Sequence, residues 1–279
     1  MPTKNMTIDN INPLIDYSPK GAWSEGNISD NYFPNYSNGG TFTLSVYTGA
    51  NATFSFNGTA IWLFGAKRAN HGLYNITLDG QTTTMNGYSP GTGIYQTPLF
   101  TQTHLTNTLH TITLTNAGLN STYPFSNFLD LDYITWESTY GIGSKQVKET
   151  TLQDSDSSFS YQPQGSWNTS PEFLSFFFGQ SGHATTTAEA SMTLTFSGDT
   201  VQIFGTVGPK DAPYSVQLDN GSPLTFNATK YKAYQQVLLY YADNLGPGSH
   251  NVKITNKPAL PGESLNINYA LVDITLSLG

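Results

Sequence analysis

The chain of 279 residues contains two copies of one pattern, and this internal repeat constrains its fold more than any other feature. Five blocks recur in the same order, and the offset between copies drifts from 144 to 140 to 136 residues. Such ordered matches indicate a duplicated module. We therefore predict a first domain over residues 1–140, a linker at 141–147 and a second domain over 148–279. The matched blocks are 7–23 with 151–167, 56–65 with 196–205, 74–79 with 214–219, 110–116 with 250–256, and 129–133 with 265–269.

The matched blocks have the pattern of β-strands. Phe54, Phe56, Ile61 and Leu63 alternate with smaller or more polar residues, which is the period of a strand with one buried face. The dipeptide at 57–58 is Asn-Gly, a signal for a tight hairpin. No segment carries a convincing 3.6-residue apolar stripe. The sequence therefore predicts an all-β protein made of two tandem antiparallel β-sandwich, or jelly-roll, domains.

The low charge content of the chain limits its partners. Charged residues make up 11%, aromatic residues 13%, and the net charge is −8 with only 11 basic residues. Nucleic acids and anionic membranes need a basic surface, and no apolar run approaches the roughly 20 residues of a membrane span. Sugar rings stack on aromatic side chains, and their hydroxyls pair with amides and carboxylates. We expect a poly- or oligosaccharide partner, with no nucleic acid and no membrane insertion.

Sequence signals for location favour the outside of a cell. Cysteine is absent, which excludes disulfides and thiolate metal sites, and the opening residues lack the apolar segment of a signal peptide. Ten Asn-x-Ser/Thr triplets nevertheless favour a secreted protein with N-glycans over a cytosolic one. Their asparagines are Asn5, Asn27, Asn35, Asn51, Asn57, Asn75, Asn120, Asn168, Asn220 and Asn227.

A family resemblance follows from the order of the motifs. The opening segments 8–10 and 15–17, with Gly21 and Trp23, precede a Phe-x-Gly-Thr hairpin, an aromatic-Gly pair, a Leu-Asp-Gly turn and a Leu-Asp-Tyr-Ile strand. This order resembles β-sandwich modules of extracellular basidiomycete proteins, which look like galactose-binding-domain-like jelly rolls. The resemblance covers nearly the whole chain, twice, and implies a carbohydrate-binding-module type of architecture. Its motifs mark the fold, and such sandwiches host many functions.

Residues that match between the copies are predicted to serve the shared scaffold. Trp23 and Trp167 each follow a Gly-x step at the same place, and His110 and His250 each open a matched strand. We interpret the tryptophans as packing residues and the histidines as groups that satisfy a turn. Residues that differ between the copies are the better candidates for a binding site.

The loop at 66–72 differs strongly from its counterpart at 206–213. Arg68, Asn70 and His71 would present a planar donor fork, an amide and an imidazole on one strand-connecting loop, where binding groups usually lie. Tyr88, among Asn, Gly, Ser and Pro residues, is the candidate for stacking on a ligand. Further aromatic candidates outside the matched strands are Tyr32, Tyr36, Tyr95, Tyr231, Tyr234, Tyr240 and Tyr241.

A pair of carboxylates could carry other chemistry. Asp130 and Asp132 lie two positions apart, so both would project from the same face of a strand. Three interpretations stay open: a Ca²⁺ site, an acid–base pair, or hydrogen bonds that hold a loop. The second copy has Asn266 and Asn268 at the matching positions, which favours the hydrogen bonds. Apart from this possible Ca²⁺, no cofactor is expected.

Three hypotheses for function result. The first is a secreted protein that binds a neutral, cell-wall-like glycan through loops and aromatic residues. The second is a glycoside hydrolase, for which Asp130, Asp132, Glu137 and Glu172 are the candidate carboxylates. The third is a structural or adhesion ectodomain of a cell surface. Known catalytic motifs are missing from the sequence, so binding is favoured over catalysis.

Overall fold

The computed structural model describes residues 3–26, 28–119, 126–139 and 146–276, and these residues are mostly β-strand. Every strand pairing among them is antiparallel, and their only helices are four single 3-10 turns. The predicted all-β class with antiparallel sheets is confirmed. The turns are Phe33–Asn35, Gln164–Ser166, Leu174–Phe176 and Phe178–Gln180.

The described chain divides into two compact units. The first unit comprises Thr3–Ile11 and Ile15–Thr139, and the second comprises residues 146–276 with Asn12–Leu14. Residues 141–145 of the predicted linker lie outside the described residues, and its last two residues begin a strand at Gln146.

The first unit contains twelve strands among its described residues. They are β1 (Thr3–Asp9), β2 (Asp16–Ser18), β3 (Ser24–Glu25), β4 (Thr43–Ser45), β5 (Asn51–Gly58), β6 (Ala60–Lys67), β7 (Leu73–Leu78), β8 (Gln81–Asn86), β9 (Ile94–Gln102), β10 (Thr108–Gly118), β11 (Leu129–Leu131) and β12 (Tyr133–Thr139).

The second unit contains ten strands among its described residues. They are β13 (Gln146–Gln153), β14 (Phe159–Gln162), β15 (His183–Thr185), β16 (Ser191–Ser197), β17 (Thr200–Val207), β18 (Pro213–Leu218), β19 (Leu224–Asn227), β20 (Tyr234–Ala242), β21 (Ser249–Asn256) and β22 (Leu265–Leu276).

The strand order is the same in the two units. The first unit has sheets ordered β1-β12-β6-β9 and β2-β5-β10-β7-β8, with β3, β4 and β11 in a small third sheet. The second unit has sheets ordered β13-β22-β17-β20 and β14-β16-β21-β18-β19, with β15 paired to β22. Each strand of the two main sheets thus has a counterpart that pairs with the equivalent neighbours, whereas β3 and β11 have no separate counterpart strand among the described residues.

Each unit buries the apolar side chains that alternate along its strands. In the first unit Phe54 of β5 packs against the fully buried Trp136 of β12, with ring centroids 5.1 Å apart, so side chains from two sheets share one core. In the second unit Ile203 of β17 and Ile254 of β21 are fully buried as well. Removing these faces from water is the main term that stabilises such sheets.

The matched tryptophans make the same contacts in both units. The indole N–H of Trp23 and that of Trp167 each donate to the carbonyl five positions earlier, at 3.3 Å in both cases. Each indole packs against a tyrosine, Tyr17 at 5.1 Å and Tyr161 at 4.9 Å between ring centroids. Each tyrosine hydroxyl donates to the carbonyl seven positions earlier. These tryptophans therefore belong to the scaffold.

The matched histidines hold equivalent turns. Nδ1 of His110 lies 2.6 Å from Oδ2 of Asp79, and Nδ1 of His250 lies 2.9 Å from Oδ2 of Asp219. The other carboxylate oxygen of each aspartate accepts a backbone N–H from the residue after the histidine. Each Asp-His pair thus closes one hairpin, as the sequence predicts for a turn histidine.

None of the helices in the described residues is long and apolar enough to cross a membrane.

Candidate functional site

The second unit contains a groove of about 560 Å³ near the ends of several of its strands. Gly208 follows β17, Asp211 precedes β18, and Asn266 lies on β22. Loops and the start of β20 supply the walls. A volume of this size is typical of sites for small ligands. The lining residues include Asn168, Glu172, Phe173, Gly208, Lys210, Asp211, Tyr231, Lys232, Gln235 and Asn266, and we call this feature the groove.

Two aromatic rings line the groove and face solvent. Phe173 is 46% exposed and Tyr231 is 74% exposed, although side chains of this size are usually buried in a folded domain. Phe173 directly precedes the 3-10 turn Leu174–Phe176, and its φ of 64° lies in the left-handed region. A non-glycine residue in that region is uncommon and marks a locally constrained backbone. The chain thus fixes Phe173 at the edge of the groove.

Buried polar groups also line the groove. The amide nitrogen Nδ2 of Asn266 donates to Oδ1 of Asp211 at 2.6 Å, and the hydroxyl of Ser264 lies 3.2 Å from the same oxygen. The hydroxyl of Thr206 donates to Oδ2 at 3.0 Å. Burial raises the pKa of Asp211 to about 6 in spite of these hydrogen bonds. Asp211 therefore changes protonation near neutral pH.

The exposed charges beside the groove are balanced. Nζ of Lys210 lies 3.2 Å from Oε2 of Glu172, and both side chains are mostly exposed. An ion pair in such a position contributes little to stability but cancels the local field. Both residues belong to the lining of the groove, which also includes Lys232.

In the first unit, the structure brings Arg68, His71 and Asp130 together. Oδ2 of Asp130 accepts from the hydroxyl of Tyr36 at 2.5 Å and lies 2.8 Å from Nε2 of His71. Oδ1 accepts the backbone N–H of Ala66 at 2.7 Å. His71 and Asp130 are 2% and 1% exposed, so both are committed to internal hydrogen bonds.

Arg68 is held by charge and by aromatic rings. Its two terminal nitrogens lie 2.6 and 3.1 Å from the carboxylate of Asp30, a bidentate pair. The guanidinium carbon lies 5.1 Å from the ring centroid of Tyr32 and 5.8 Å from that of Tyr95. Burial opposes the charge of Arg68, but the hydrogen bonds that it donates to Asp30 and Tyr36, together with the attraction of these groups, hold its pKa above the ordinary value.

The remaining predicted binding residues are close to this cluster. Oδ1 of Asn70 lies 3.0 Å from Nδ1 of His71. Tyr88 forms a backbone bridge with Arg68, and its N–H donates to Oδ1 of Asn86 at 2.9 Å. Tyr88, the candidate for stacking on a ligand, is half-buried. The loop from 66 to 72 and the loop at Tyr88 therefore lie side by side in the first unit.

The predicted carboxylates are spread over both units. Asp132 lies between β11 and β12 and accepts the backbone N–H and the hydroxyl of Ser37. Burial raises the pKa of Asp132 to about 6. Glu137 on β12 accepts from the hydroxyl of Thr59 at 2.6 Å, whereas Glu172 lies at the groove. Asp130 and Asp132 thus anchor neighbouring residues, Tyr36 and Ser37, through hydrogen bonds.

The two asparagines of the second unit also anchor a loop or a turn. Asn268 accepts the N–H of Phe178 at 2.9 Å and donates to the carbonyl of the same residue at 2.9 Å. Asp132 holds Ser37 in the corresponding way in the first unit. Within the described ranges, no group of three or more His, Asp or Glu side chains is arranged to hold a metal ion.

Sequence reasoning named part of the groove and missed its centre. Tyr231 and Glu172 were among the candidates, but Phe173, Asp211 and Asn266 were not assigned to a site. The available signal was the mismatch of the two loops, where Arg68 in one copy corresponds to Gly208 in the other. A glycine in one copy that matches a large side chain in the other indicates space in the copy with the glycine.

Comparison with known proteins yields one curated relative and several solved structures. No family model matches the chain. The chain is 26% identical over 247 residues to an A type blood alpha-D-galactosamine galactosaminidase from Flavonifractor plautii. The match covers 88% of this chain and 21% of the relative, so the chain spans about a fifth of the length of that protein.

Two solved structures illustrate the structural neighbours. A Paenibacillus xanthan lyase covers 87% of this chain and 24% of its own, with 15% identity and a TM-score of 0.33. The CBM36-1 domain of a multidomain xylanase from the hindgut metagenome of Trinervitermes trinervoides covers 47% of this chain and 100% of its own, with 16% identity and a TM-score of 0.30.

Proposed function

We propose that this chain is a carbohydrate-binding protein that takes a neutral oligosaccharide into the groove of the second unit. The observation that carries the proposal is the combination of two exposed aromatic rings, Phe173 and Tyr231, with buried polar groups in one groove of about 560 Å³.

The aromatic rings account for the binding of a sugar face. The C–H groups of a pyranose ring form an apolar face that stacks on an aromatic ring and leaves the hydroxyls free. Phe173 and Tyr231 are exposed in the unbound protein, so little rearrangement is needed before such stacking. Tyr231 adds a phenolic hydroxyl, which both donates and accepts hydrogen bonds.

The buried polar groups account for recognition of hydroxyls. Asp211 and Asn266 are almost fully buried and hydrogen-bonded to each other, so their positions are fixed before a ligand arrives. A carboxylate has about four lone-pair sites and an amide has both donors and acceptors. The ion pair of Lys210 with Glu172 leaves the adjacent surface close to neutral, which suits an uncharged ligand.

The curated relative guides the choice of sugars for the test. Its name assigns it activity on α-D-galactosamine, and the chain matches about a fifth of it. We therefore include glycans with terminal galactose and galactosamine in the test, beside neutral cell-wall glucans and mannans.

The test is a glycan array followed by calorimetric titration with the best oligosaccharide. We expect Phe173→Ala and Tyr231→Ala each to weaken binding about 10- to 100-fold, since the loss of one stacking ring costs about 1.5–3 kcal/mol. Phe176→Ala is the matched control, because Phe176 lies three residues further on and is 63% exposed but is not among the residues that line the groove. Equal binding by Phe173→Ala and wild type would overturn the proposal.

Hydrolysis of the bound glycan is the second candidate, and one observation favours it. Asp211, with its pKa raised to about 6, and Glu172 both line the groove, and two carboxylates suffice for glycoside hydrolysis. Incubation with the ligand found on the array, with product analysis by chromatography, tests this. Product that forms with wild type and disappears with Asp211→Asn supports hydrolysis. Unchanged substrate supports binding alone.

We also propose that the protein is secreted and carries N-glycans. Eight of the ten sequon asparagines lie in the described residues, and none of the eight is buried, so all have access to solvent. Mass spectrometry of protein from its native source, before and after treatment with an amidase that releases N-glycans, tests this. Unmodified asparagine at all ten positions would contradict secretion through a glycosylating pathway.

A further inference from the structure

Arg68 and Gly208 occupy the same backbone position in their units. The carbonyl of each accepts a hydrogen bond from the N–H three residues later, His71 in one unit and Asp211 in the other, at 3.1 Å in both. Each also forms a parallel backbone bridge to the segment that follows β8 or β19. The backbone is therefore equivalent at this point, and only the side chain differs.

The residue that lies next to this position also differs between the two units. A Cβ atom on Gly93 would lie 3.0 Å from Cγ of Arg68, so glycine at 93 leaves room for the arginine stem. In the second unit the residue at this place is Ala233, and a Cβ atom on Gly208 would lie 3.3 Å from its Cβ. In the first unit arginine at position 68 thus lies beside glycine at 93. In the second unit glycine at position 208 lies beside alanine at 233, so the larger residue is on the other side.

The side chain of Arg68 reaches the groups that correspond to the walls of the groove. It contacts the rings of Tyr32 and Tyr95, and their counterparts at offsets of 141 and 140 are Phe173 and Gln235. These offsets are supported by matched hydrogen bonds: Gln96 donates to the carbonyl of residue 35, as Gln236 does to that of residue 176. Phe173 and Gln235 both line the groove.

We propose that the side chain of Arg68 fills the first unit's counterpart of the groove. The chain then carries one open sugar groove, in the second unit, and one closed groove, in the first. Arg68 is only 14% exposed and is fixed by the bidentate contact with Asp30. In the second unit Gly208 contributes no side chain and the counterpart of Asp30 is Pro171, so an ion pair like that of Arg68 with Asp30 cannot form at these two positions.

The closure is permanent rather than regulated by pH. Arginine stays charged at all ordinary pH values. Burial raises the pKa of Asp30, but the hydrogen bonds from Arg68 and from the backbone N–H of Tyr32, together with the positive charge of Arg68, outweigh it and hold that pKa below the usual value. Acidification therefore does not break the contact until the pH falls below the ordinary range of carboxylates.

The test rests on the proposed function for its ligand and opens the first unit by mutation. Arg68→Gly reproduces Gly208, and Asp30→Asn, in the same variant, avoids an unpaired carboxylate. Calorimetric titration with the oligosaccharide is expected to show one site per chain for wild type and two for the double variant.

In a background of Phe173→Ala with Tyr231→Ala, the same two changes are expected to restore one site. Lys67→Gly is the control for the loss of a neighbouring cation, with one site expected. A stoichiometry of one for the folded double variant would overturn the inference.

The converse variant keeps the inference falsifiable if the first variant does not fold. Gly208→Arg with Ala233→Gly gives the second unit the arginine and the glycine that the first unit has at positions 68 and 93. This variant is expected to bind the oligosaccharide at least 100-fold more weakly. Unchanged affinity would contradict the inference.

A crystal structure of the Arg68→Gly, Asp30→Asn protein gives a result that needs no ligand. Open space where the Arg68 side chain lies in wild type, beside the stacked rings of Tyr32 and Tyr95, supports the inference, and movement of either ring into that space overturns it. If wild type binds no glycan, the proposed function fails, but this structure still decides whether Arg68 closes a groove.

Discussion

Nε2 of His71 lies 2.8 Å from Oδ2 of Asp130, and both side chains are almost completely buried. The same carboxylate also accepts hydrogen bonds from Tyr36 and from the backbone of Ala66. One aspartate on β11 therefore ties together the end of β6, the loop after it and the segment near residue 36. In the second unit Asp211 and Asn266 occupy the positions of His71 and Asp130, so the contact persists with the carboxylate on the opposite side.

Loss of Asp130 is expected to destabilise the protein strongly. Asp130→Ala leaves His71, Tyr36 and the N–H of Ala66 without their buried acceptor, and each buried group left without a hydrogen bond costs about 1–3 kcal/mol. Urea unfolding measures the change in the free energy of unfolding. The control is Asp16→Ala, since Asp16 is exposed and its loss should cost no more than about 0.5 kcal/mol. Similar losses for both variants would show that the Asp130 network contributes little.

The buried Asp211 predicts a specific dependence of stability on pH. Its pKa is about 6 in the folded protein, against about 3.9 for an unfolded aspartate. Between pH 4 and 6 the folded state therefore binds more protons than the unfolded state, and the contribution of this group to stability falls as the pH rises. Above pH 6 burial of the charged Asp211 carboxylate lowers the free energy of unfolding by its full amount, about 2–3 kcal/mol for a pKa shift of this size.

Asp211→Asn should remove this dependence and raise stability at pH 7. The amide oxygen can accept from Asn266 and Ser264, and the amide nitrogen can donate to the hydroxyl of Thr206, so the variant fits the same contacts. Urea unfolding at pH 4, 5, 6 and 7 measures the change, with exposed Asp16→Asn as the matched control. A variant whose pH profile runs parallel to that of wild type would show that Asp211 is not the group responsible.

Asp132 is expected to behave in the same way, and the second unit explains why. Burial raises its pKa to about 6, and Asn268 fills the matching position without a charge. Asp132→Asn should therefore be at least as stable as wild type at pH 7 and should leave glycan binding unchanged. Loss of product release from a glycan in this variant would instead support the acid–base interpretation of Asp132.

The strands could be predicted from the sequence because their signals are local. Alternation at Phe54 and Phe56 reflects which residues face the core, and the paired tryptophans make equal contacts because each depends on a few neighbouring positions. The same reasoning placed Arg68, Asn70 and His71 together, since they lie within four residues of one another.

The groove could not be predicted in the same way because it is a space that side chains leave unfilled. Phe173, Gly208 and Asn266 are far apart in the chain, and their proximity follows from the pairing of β17 with β22 and from the path of a loop. The polar character of Arg68 suggested an open site, whereas Asp30, Tyr32 and Tyr95 enclose its side chain. A loop whose arginine is open to a ligand and a loop whose arginine is held in an ion pair can have the same local sequence, because the partner Asp30 lies 38 residues away.

Close backbone approach beneath the groove gives a further prediction. A Cβ atom on Gly205 would lie 2.0 Å from the carbonyl oxygen of Asn266, so β17 and β22 must separate if a methyl group is added. Gly205→Ala should lower the free energy of unfolding by about 1–3 kcal/mol and should also weaken glycan binding, because Asn266 would move. Gly165→Ala is the control, since a Cβ atom there meets nothing within 4 Å. Wild-type stability of Gly205→Ala would contradict the close contact.

Amide hydrogen exchange should locate the bound oligosaccharide in one unit. The N–H of Ala212 donates to the carbonyl of Ser264 at 2.8 Å next to the groove, and its counterpart in the first unit is the N–H of Gly72, which donates to Phe128 at 3.0 Å. A ligand at 100 times its Kd stabilises the bound state by about 2.7 kcal/mol, so opening at Ala212 should slow about 100-fold. Gly72 serves as the matched control because Arg68 occupies the corresponding space, and its exchange should be unchanged. Slower exchange at Gly72 with no effect at Ala212 would place the sugar in the first unit, and Phe173→Ala, measured under the same conditions, should abolish the effect at Ala212 if the groove is the site.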